Sequence, residues 1–327
     1  MPPKWRLIQK ENFTSIHALL DYLNFSEENR KLVHDHPPFV LNLPRRLAAK
    51  IAKNTPEDPL FRQFIPLLDE TIIKPGFIPD ALQETTFLEG KKLFHKYHNR
   101  ALLLVTGACA MHCRYCFRQH FAYDTQTLGY DAELSYVKQN PSISELILSG
   151  GDPLSLSNES LKNLLLSISQ IPHILRIRFH TRFPLGIPER IDNEFLEILA
   201  TIPQQLFVVI HCNHPKELDI DVKQALKKIM LLGIVVLNQS VLLKGVNDCE
   251  ETFLQLNEEL ANAGIIPYYL HLLDPVERTS HFEVSEKRGH ELIQYAQEHT
   301  SGFAVPKLVR EIPGTPSKTL LHPVNCL

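Results

Sequence analysis

Short apolar runs begin at Ala101, Glu145, Ile174, Leu206, Ile234 and Ile266, mostly about thirty residues apart, an interval suited to strand–helix units. Helix-like stretches lie between them, at Asn158 to Ile168, Asn193 to Ala200, Asp219 to Leu232 and Glu250 to Ala263. Strands alternating with helices in this way read as successive βα units of a parallel sheet. The fold class is therefore α/β, and six units suit an incomplete barrel. A further run at Val305 to Val309 can add an edge strand. An open doubly wound sheet is the alternative. Both architectures gather functional groups at the carboxyl ends of the strands.

The strand ends follow that rule. The first run leads into a cysteine-rich loop, and the second runs into Ser149-Gly-Gly-Asp-Pro153. The others end at His180-Thr-Arg182, His211-Cys-Asn-His214, Asn238-Gln-Ser240 and His271-Leu-Leu-Asp274. Polar groups at six strand ends imply a ligand cavity over one mouth of the barrel. Upstream, residues 1–95 look mainly helical. Thr14 or Ser15, Ser26 and Asp58 are candidate caps, and Pro44 and Pro59 sit where helices start. Prolines at 56, 59, 66, 75 and 79 keep these helices short. His34 and His36 read as surface residues of a turn. The organisation is thus a helical region over 1–95, a barrel core over 96–304 and a terminal segment over 305–327.

Composition removes several function classes. Lys plus Arg is 34 against 37 for Asp plus Glu, a net charge of −3, without the basic excess of a nucleic-acid binder. No apolar run approaches the roughly 18 residues of a membrane span. The opening residues Met1-Pro-Pro-Lys-Trp-Arg lack a signal-peptide core. Cys212, Cys249 and Cys326 are scattered and do not suggest a disulfide scaffold. A cytoplasmic protein with no nucleic-acid or membrane partner is expected.

The remaining cysteines are not scattered. Cys109, Cys113 and Cys116 form a C-x3-C-x2-C run directly after the apolar segment Ala101 to Val105. Structural zinc usually takes four protein ligands, so three thiolates would need His112 or a distant residue to complete a site. Iron–sulfur clusters take one cysteine per iron, so three thiolates on a four-iron cluster leave one iron open. Three ordinary free thiols are the third reading. Ser149, Gly150, Gly151 and Asp152 form either a tight turn or a backbone cradle that a ligand approaches closely. His180, Arg182, His211 and Gln239 are ligand-side candidates or polar filling of the barrel. Lys318, in Val309-Arg-Glu-Ile-Pro-Gly-Thr-Pro-Ser-Lys-Thr319, is a surface lysine or a Schiff-base amine beside the barrel mouth.

The C-x3-C-x2-C spacing after a strand, with Tyr115 before the third cysteine, resembles the signature of the radical S-adenosylmethionine (SAM) enzymes. The wider match is to the lysine 2,3-aminomutase family within that group. It runs from Asp58-Pro-Leu-Phe-Arg-Gln-Phe-Ile-Pro66 through the cysteine run, Ser149-Gly-Gly-Asp-Pro-Leu154 and His211-Cys-Asn-His-Pro215. It continues through Asn238-Gln-Ser-Val-Leu-Leu-Lys-Gly-Val-Asn-Asp248 and Tyr268-Tyr-Leu-His-Leu-Leu-Asp-Pro275 to Lys318. The resemblance implies a radical SAM partial (β/α)6 barrel. Cys109, Cys113 and Cys116 would ligate a [4Fe-4S] cluster whose open iron SAM chelates. Ser149, Gly150, Gly151 and Asp152 would bind SAM, with His180, Arg182, His211 and Gln239 as weaker SAM-side candidates. Lys318 would carry pyridoxal 5′-phosphate (PLP), and Arg100 would hold its phosphate. Arg118 would pair with the substrate carboxylate, while Asp274 and Glu311 would receive the side-chain ammonium.

The implied reaction moves the α-amino group of free L-lysine to the β-carbon, with an external one-electron reductant. The Pro-Ser-Lys-Thr sequence and short tail are similar to the bacterial branch that makes (R)-β-lysine for elongation factor P. A separate ligase would attach that product. Glu311 stands where the longer enzymes carry aspartate, and Pro-Gly-Thr-Pro-Ser replaces their glycine-rich run. Their C-terminal zinc-binding cysteine cluster is not matched here, so that zinc site is expected to be absent and any homo-oligomer to differ. Two rivals are an aminomutase for another amino acid such as glutamate, and a non-catalytic metal-binding module. The first needs a cationic side-chain pocket, and the second predicts a colourless protein without PLP.

Overall fold

Seven parallel strands form the middle of one ten-stranded sheet in the computed structural model, which describes residues 2–124, 126–127 and 129–322. In chain order the strands are β1 (Leu88–Glu89), β2 (Leu93–Tyr97), β3 (Arg100–Thr106), β4 (Glu145–Gly150) and β5 (Arg176–Thr181). They continue as β6 (Gln205–Ile210), β7 (Val235–Val241), β8 (Ile266–His271), β9 (Lys307–Arg310) and β10 (Thr319–Leu320). Strands β3 to β9 are parallel, and β1, β2 and β10 add antiparallel edges. Every strand pairs with its neighbours in sequence. A doubly wound sheet reverses its strand order at a switch point. No reversal occurs here, which sets that alternative aside. No pairing among the described residues joins β1 to β10, so the barrel is partial and open.

The six expected βα units are present, running from β3 to β8, and the further strand follows them. The Val305–Val309 run forms β9 by parallel pairing of Tyr269 with Lys307 and His271 with Val309, and β10 rather than β9 is the edge. Residues 88–97 and 307–320 belong to the same sheet as the core, so boundaries at 95/96 and 304/305 fall within one architectural unit. Each strand from β3 to β8 is followed by a helix, at Asp131–Gln139, Asn158–Ser169, Asn193–Ala200, Ile220–Met230, Glu250–Asn262 and Glu286–His299. The first and last of these had too weak an apolar stripe to stand out. Glu286–His299 buries only Gly289, Leu292 and Ala296. By contrast Leu161, Leu164, Leu165 and Ile168 recur at helical spacing and are all buried. Ser157, Asp192, Asp219 and Ser285 cap four of the helices by accepting a backbone N–H.

Strand β5 shows how the sheet places function. Its residues alternate, with Ile177 and Phe179 buried towards the helices and Arg178 and His180 lining the inner cavity. The N-terminal region forms short helices at Lys4–Lys10, Ile16–Tyr22, Glu27–Arg30, Arg45–Lys50 and Pro59–Phe64. Ser15, Ser26 and Asp58 act as caps, as their sequence context suggests. All of these helices except Glu27–Arg30 contribute side chains to one continuous apolar core shared with the barrel. Trp5, for example, meets Phe183 edge-on with ring centroids 5.4 Å apart. No helix is long and apolar enough to cross a membrane among the described residues, and Cys326 lies outside them.

Candidate active site

A cavity of about 320 Å³ opens over the carboxyl ends of the parallel strands. The three clustered cysteines, Ser149 to Asp152, the basic residues Arg100, Arg118 and Arg182, and His180, His211 and Gln239 all line it, together with Asp274, Glu311 and Lys318. Residues as far apart in the chain as Arg100 and Lys318 therefore face one space.

The cysteine loop is held by the N-terminal region. Asn42 Nδ2 donates to the Cys109 carbonyl at 3.2 Å, and Asn12 Nδ2 donates to that of Ala110 at 2.8 Å. The His112 and Arg114 amides donate to the carbonyls of Asn42 (2.9 Å) and Gln63 (2.8 Å). Arg114 then forms a buried bidentate pair with Glu70, through Nε at 2.7 Å and Nη2 at 2.5 Å. The two side chains are 0% and 2% exposed, so neither is screened by solvent. Removing one partner leaves a buried charge, and Arg114→Ala is expected to destabilise the protein by about 3–5 kcal/mol. Urea unfolding checks this, and a loss below about 1 kcal/mol would show that the pair is dispensable. The helical extension is thus part of the site rather than an appendage.

The glycine pair has a steric reason. A Cβ on Gly150 would lie 2.4 Å from the Thr106 carbonyl oxygen, and one on Gly151 would lie 2.4 Å from that of Ala108. Gly150 also has φ +119°. Their closeness lets the amides of Gly151 and Asp152 donate to Thr106 (2.7 Å) and Ala108 (2.8 Å), seating the second strand end on the cysteine loop. Asp152 lines the cavity, but its carboxylate is occupied. It accepts from Thr181 Oγ1 at 2.8 Å and from the amides of Leu154, Arg182 and Phe183. Burial pushes its carboxyl up to about 6 despite these bonds. Arg182 is likewise committed. Nη2 donates to Gln63 Oε1 (2.6 Å) and Glu217 Oε2 (2.7 Å), and Nη1 donates to Cys113 Sγ (2.8 Å) and the Tyr115 hydroxyl. The Arg182 side chain thus braces the cysteine loop, and the Asp152 carboxylate braces the turn after β5, while both residues also line the cavity.

Across the cavity lie the substrate-side candidates. Strands β9 and β10 form a hairpin in which Thr319 pairs with Arg310, a register that sets Lys318 opposite Glu311. Lys318 Nζ donates to Glu311 Oε2 at 2.9 Å. Glu311 also accepts from Lys96 Nζ and, at 2.5 Å, from the Tyr97 hydroxyl. Burial alone would raise the Glu311 carboxyl, but Lys318, Lys96 and Tyr97 outweigh it and hold the group at about 2. Asp274 is the opposite case. Burial raises it to about 7, with Lys318 pulling down and Glu311 pushing up, and no hydrogen bond contributes. Arg100 packs its guanidinium 4.3 Å from the Tyr97 ring centroid. Arg118 forms a bidentate pair with Glu84.

His180 and His211 face each other, Nδ1 to Nε2, at 3.4 Å. Burial lowers both, His211 to about 3, so neither carries charge near neutrality. Their uncharged rings and Gln239 leave this wall polar without adding cations. Lys96, Tyr97 and Glu84 were missed by sequence reasoning. The first two lie in His95-Lys-Tyr-His-Asn-Arg100, a polar cluster whose antiparallel pairing with β3 carries no obvious pattern.

The donors fit the groups expected of them. Burial, followed by repulsion from Cys116, Asp152 and Cys113, raises the Cys109 thiol, and burial pushes Cys116 up to about 12. Thiols that resist ionisation, as those of Cys109 and Cys116 do, fit a cationic centre beside them. Among the described residues no three ligands converge on a single ion, whereas a four-iron cluster spreads its cysteines over separate irons. The cavity also offers an amine and a guanidinium of the kind that hold an aldehyde and a phosphate, in Lys318 and Arg100.

Comparison with known proteins agrees. A family model described as a 4Fe-4S single cluster domain matches residues 99–183. The L-lysine 2,3-aminomutase of Escherichia coli strain K12 is 43% identical over 309 residues, covering 93% of this chain and 90% of that protein. The enzyme of the same name from Haemophilus influenzae is 41% identical, covering 97% and 95% of the two chains. That from Buchnera aphidicola is 39% identical, covering 94% and 92%. With its cysteine loop, its partial barrel and this extent of identity, the chain belongs to the L-lysine 2,3-aminomutase family of radical SAM enzymes.

Proposed function

We propose that this chain is an isomerase that converts L-lysine to β-lysine with a [4Fe-4S] cluster, SAM and PLP. One observation carries the reading. A single cavity sets Arg118, suited to a carboxylate, together with two acids, Asp274 and Glu311, and with the amine of Lys318. An α-amino acid with a cationic side chain matches that charge pattern, because a buried ammonium needs anionic partners.

When bound, the cluster and SAM supply a carbon-centred radical able to abstract hydrogen, and PLP supplies a conjugated carrier for the migrating nitrogen. The chain's own residues do the rest. Cys109, Cys113 and Cys116 would hold the cluster, and Gly150 and Gly151 line the cavity beside it where SAM would sit. Lys318 would hold PLP and Arg100 its phosphate, while Arg118 and Asp274 would fix the two ends of the substrate. Burial keeps His180 and His211 from adding positive charge near the substrate.

The finer reading is that the product is (R)-β-lysine, used by a separate ligase to modify elongation factor P. The Pro-Ser-Lys-Thr segment supports it. An external one-electron reductant is required in either case. The test is an anaerobic assay with L-lysine, PLP, SAM and a strong reductant, the products resolved by chiral chromatography. (R)-β-lysine is the expected product. Its absence from protein with iron and PLP bound would overturn the assignment, and turnover of L-glutamate in a parallel reaction would favour the rival substrate. The (S) isomer would keep the aminomutase and remove the elongation-factor branch.

A further inference from the structure

We infer that Glu84 is a positioning residue, which locks the Arg118 guanidinium so that its remaining N–H groups meet the substrate carboxylate. The inference rests on the functional reading above, in which Arg118 receives that carboxylate.

Glu84 reaches the cavity from an irregular stretch that crosses the barrel mouth. The Ile78 amide donates to the Pro275 carbonyl at 3.0 Å, and the Glu277 amide donates to that of Ile78 at 3.2 Å. These bonds tie the stretch to the loop that follows Asp274. Asp80 then fixes the next turn, accepting from the Glu84 amide at 3.0 Å and from Thr85 Oγ1 at 3.0 Å. The Glu84 carboxylate is therefore delivered by an anchored backbone.

Its contact with Arg118 is specific. Arg118 Nε donates to Glu84 Oε2 at 2.8 Å and Nη2 donates to Oε1 at 2.6 Å, while Nη1 donates to Ser149 Oγ at 3.3 Å. The guanidinium carbon lies 4.7 Å from the Phe117 ring centroid and 5.5 Å from that of Phe94. The side chains of Arg118 and Glu84 are 5% and 18% exposed. A guanidinium has five N–H groups. These three bonds leave one on each terminal nitrogen, the two atoms that grip a carboxylate end-on. Glu84 can therefore stay in place when substrate arrives. A guanidinium fixed along one edge and packed near two rings loses little freedom on binding, which strengthens the contact it makes.

A second role is available to the same carboxylate. If Glu84 competed with substrate for Arg118, its removal would tighten binding. The two roles thus predict opposite signs.

The experiment titrates the PLP-loaded protein, without SAM, with L-lysine and with L-lysinamide, following the PLP absorbance band. Lysinamide keeps both amines and lacks the carboxylate. Glu84→Gln is expected to weaken lysine binding about tenfold and lysinamide binding less than about twofold, the scale of a charge-assisted hydrogen bond. Glu84→Asp, which retains the charge, should recover part of the loss. In an Arg118→Ala background, Glu84→Gln should have no further effect. Equal losses for both ligands, tighter lysine binding, or an undiminished effect without Arg118 would each overturn the inference. A wild-type protein that binds both ligands equally would overturn it together with the assigned role of Arg118. Selective loss in Glu84→Gln, from a protein that makes no β-lysine, would instead leave the inference standing and remove the reaction.

Discussion

Lys318→Ala is expected to lower β-lysine formation by about 10³-fold or more, the effect of deleting a group that acts covalently. The amine sits in the cavity, 2.9 Å from a Glu311 carboxylate that stays ionised at any working pH. No other described lysine has the same placement. Lys96 also reaches Glu311, but it comes from β2, across the sheet from the hairpin, and its side chain is more deeply buried. The substitution should leave the fold intact, because Lys318 precedes a two-residue edge strand and is 28% exposed. Iron content after anaerobic reconstitution should also be unchanged, since the cysteine loop is anchored to residues 12, 42, 63 and 70 rather than to the hairpin. Covalent PLP, measured as borohydride-fixed absorbance, should disappear. A variant that kept more than about a tenth of wild-type turnover would remove Lys318 from the chemistry.

Much of this was legible in the sequence, for identifiable reasons. A βα period survives in the chain because each strand is a short apolar run and most following helices carry a clear stripe, as at Leu161, Leu164, Leu165 and Ile168. Site residues such as Asp274 and Gln239 stood out because a parallel barrel puts polar groups at strand ends. What was lost has a common cause. Glu84 and Lys96 act through pairings between segments with no periodic signal. The N-terminal region offered helix caps but no hint that Asn42, Gln63 and Glu70 would grip the cysteine loop. Asp152 and Arg182 were rightly placed in the cavity, but their partners could be found only in three dimensions. Local chemistry can be read along the chain, whereas the bracing of one loop by another cannot.

Asp274 is the acid through which pH should control substrate capture. Glu311 already accepts from Lys318, Lys96 and Tyr97, while the Asp274 carboxylate is half-buried and accepts no hydrogen bond among the described residues. Its carboxyl, pushed up to about 7, is neutral below that pH in the empty cavity. An ammonium binds its ionised form. The value of kcat/KM for L-lysine should therefore fall about tenfold per pH unit below about 7 and level off above it, since this parameter reports groups of the free enzyme. Asp274→Asn should lower kcat/KM by about 10²–10³-fold, the cost of leaving a buried ammonium short of one partner. It should also flatten the acidic limb. Stability should move the other way. A folded-state pKa raised above the unfolded value means that the native protein holds the extra proton between about 4 and 7, so stability falls as pH rises through that window. Asn cannot ionise and escapes that cost, so the empty variant should be the more stable protein at pH 8 and lose its advantage near pH 4. Urea unfolding at the two pH values, beside the kinetic profile, separates the cases. A variant that bound lysine poorly and was also less stable at pH 8 would show that Asp274 supports the fold rather than the substrate.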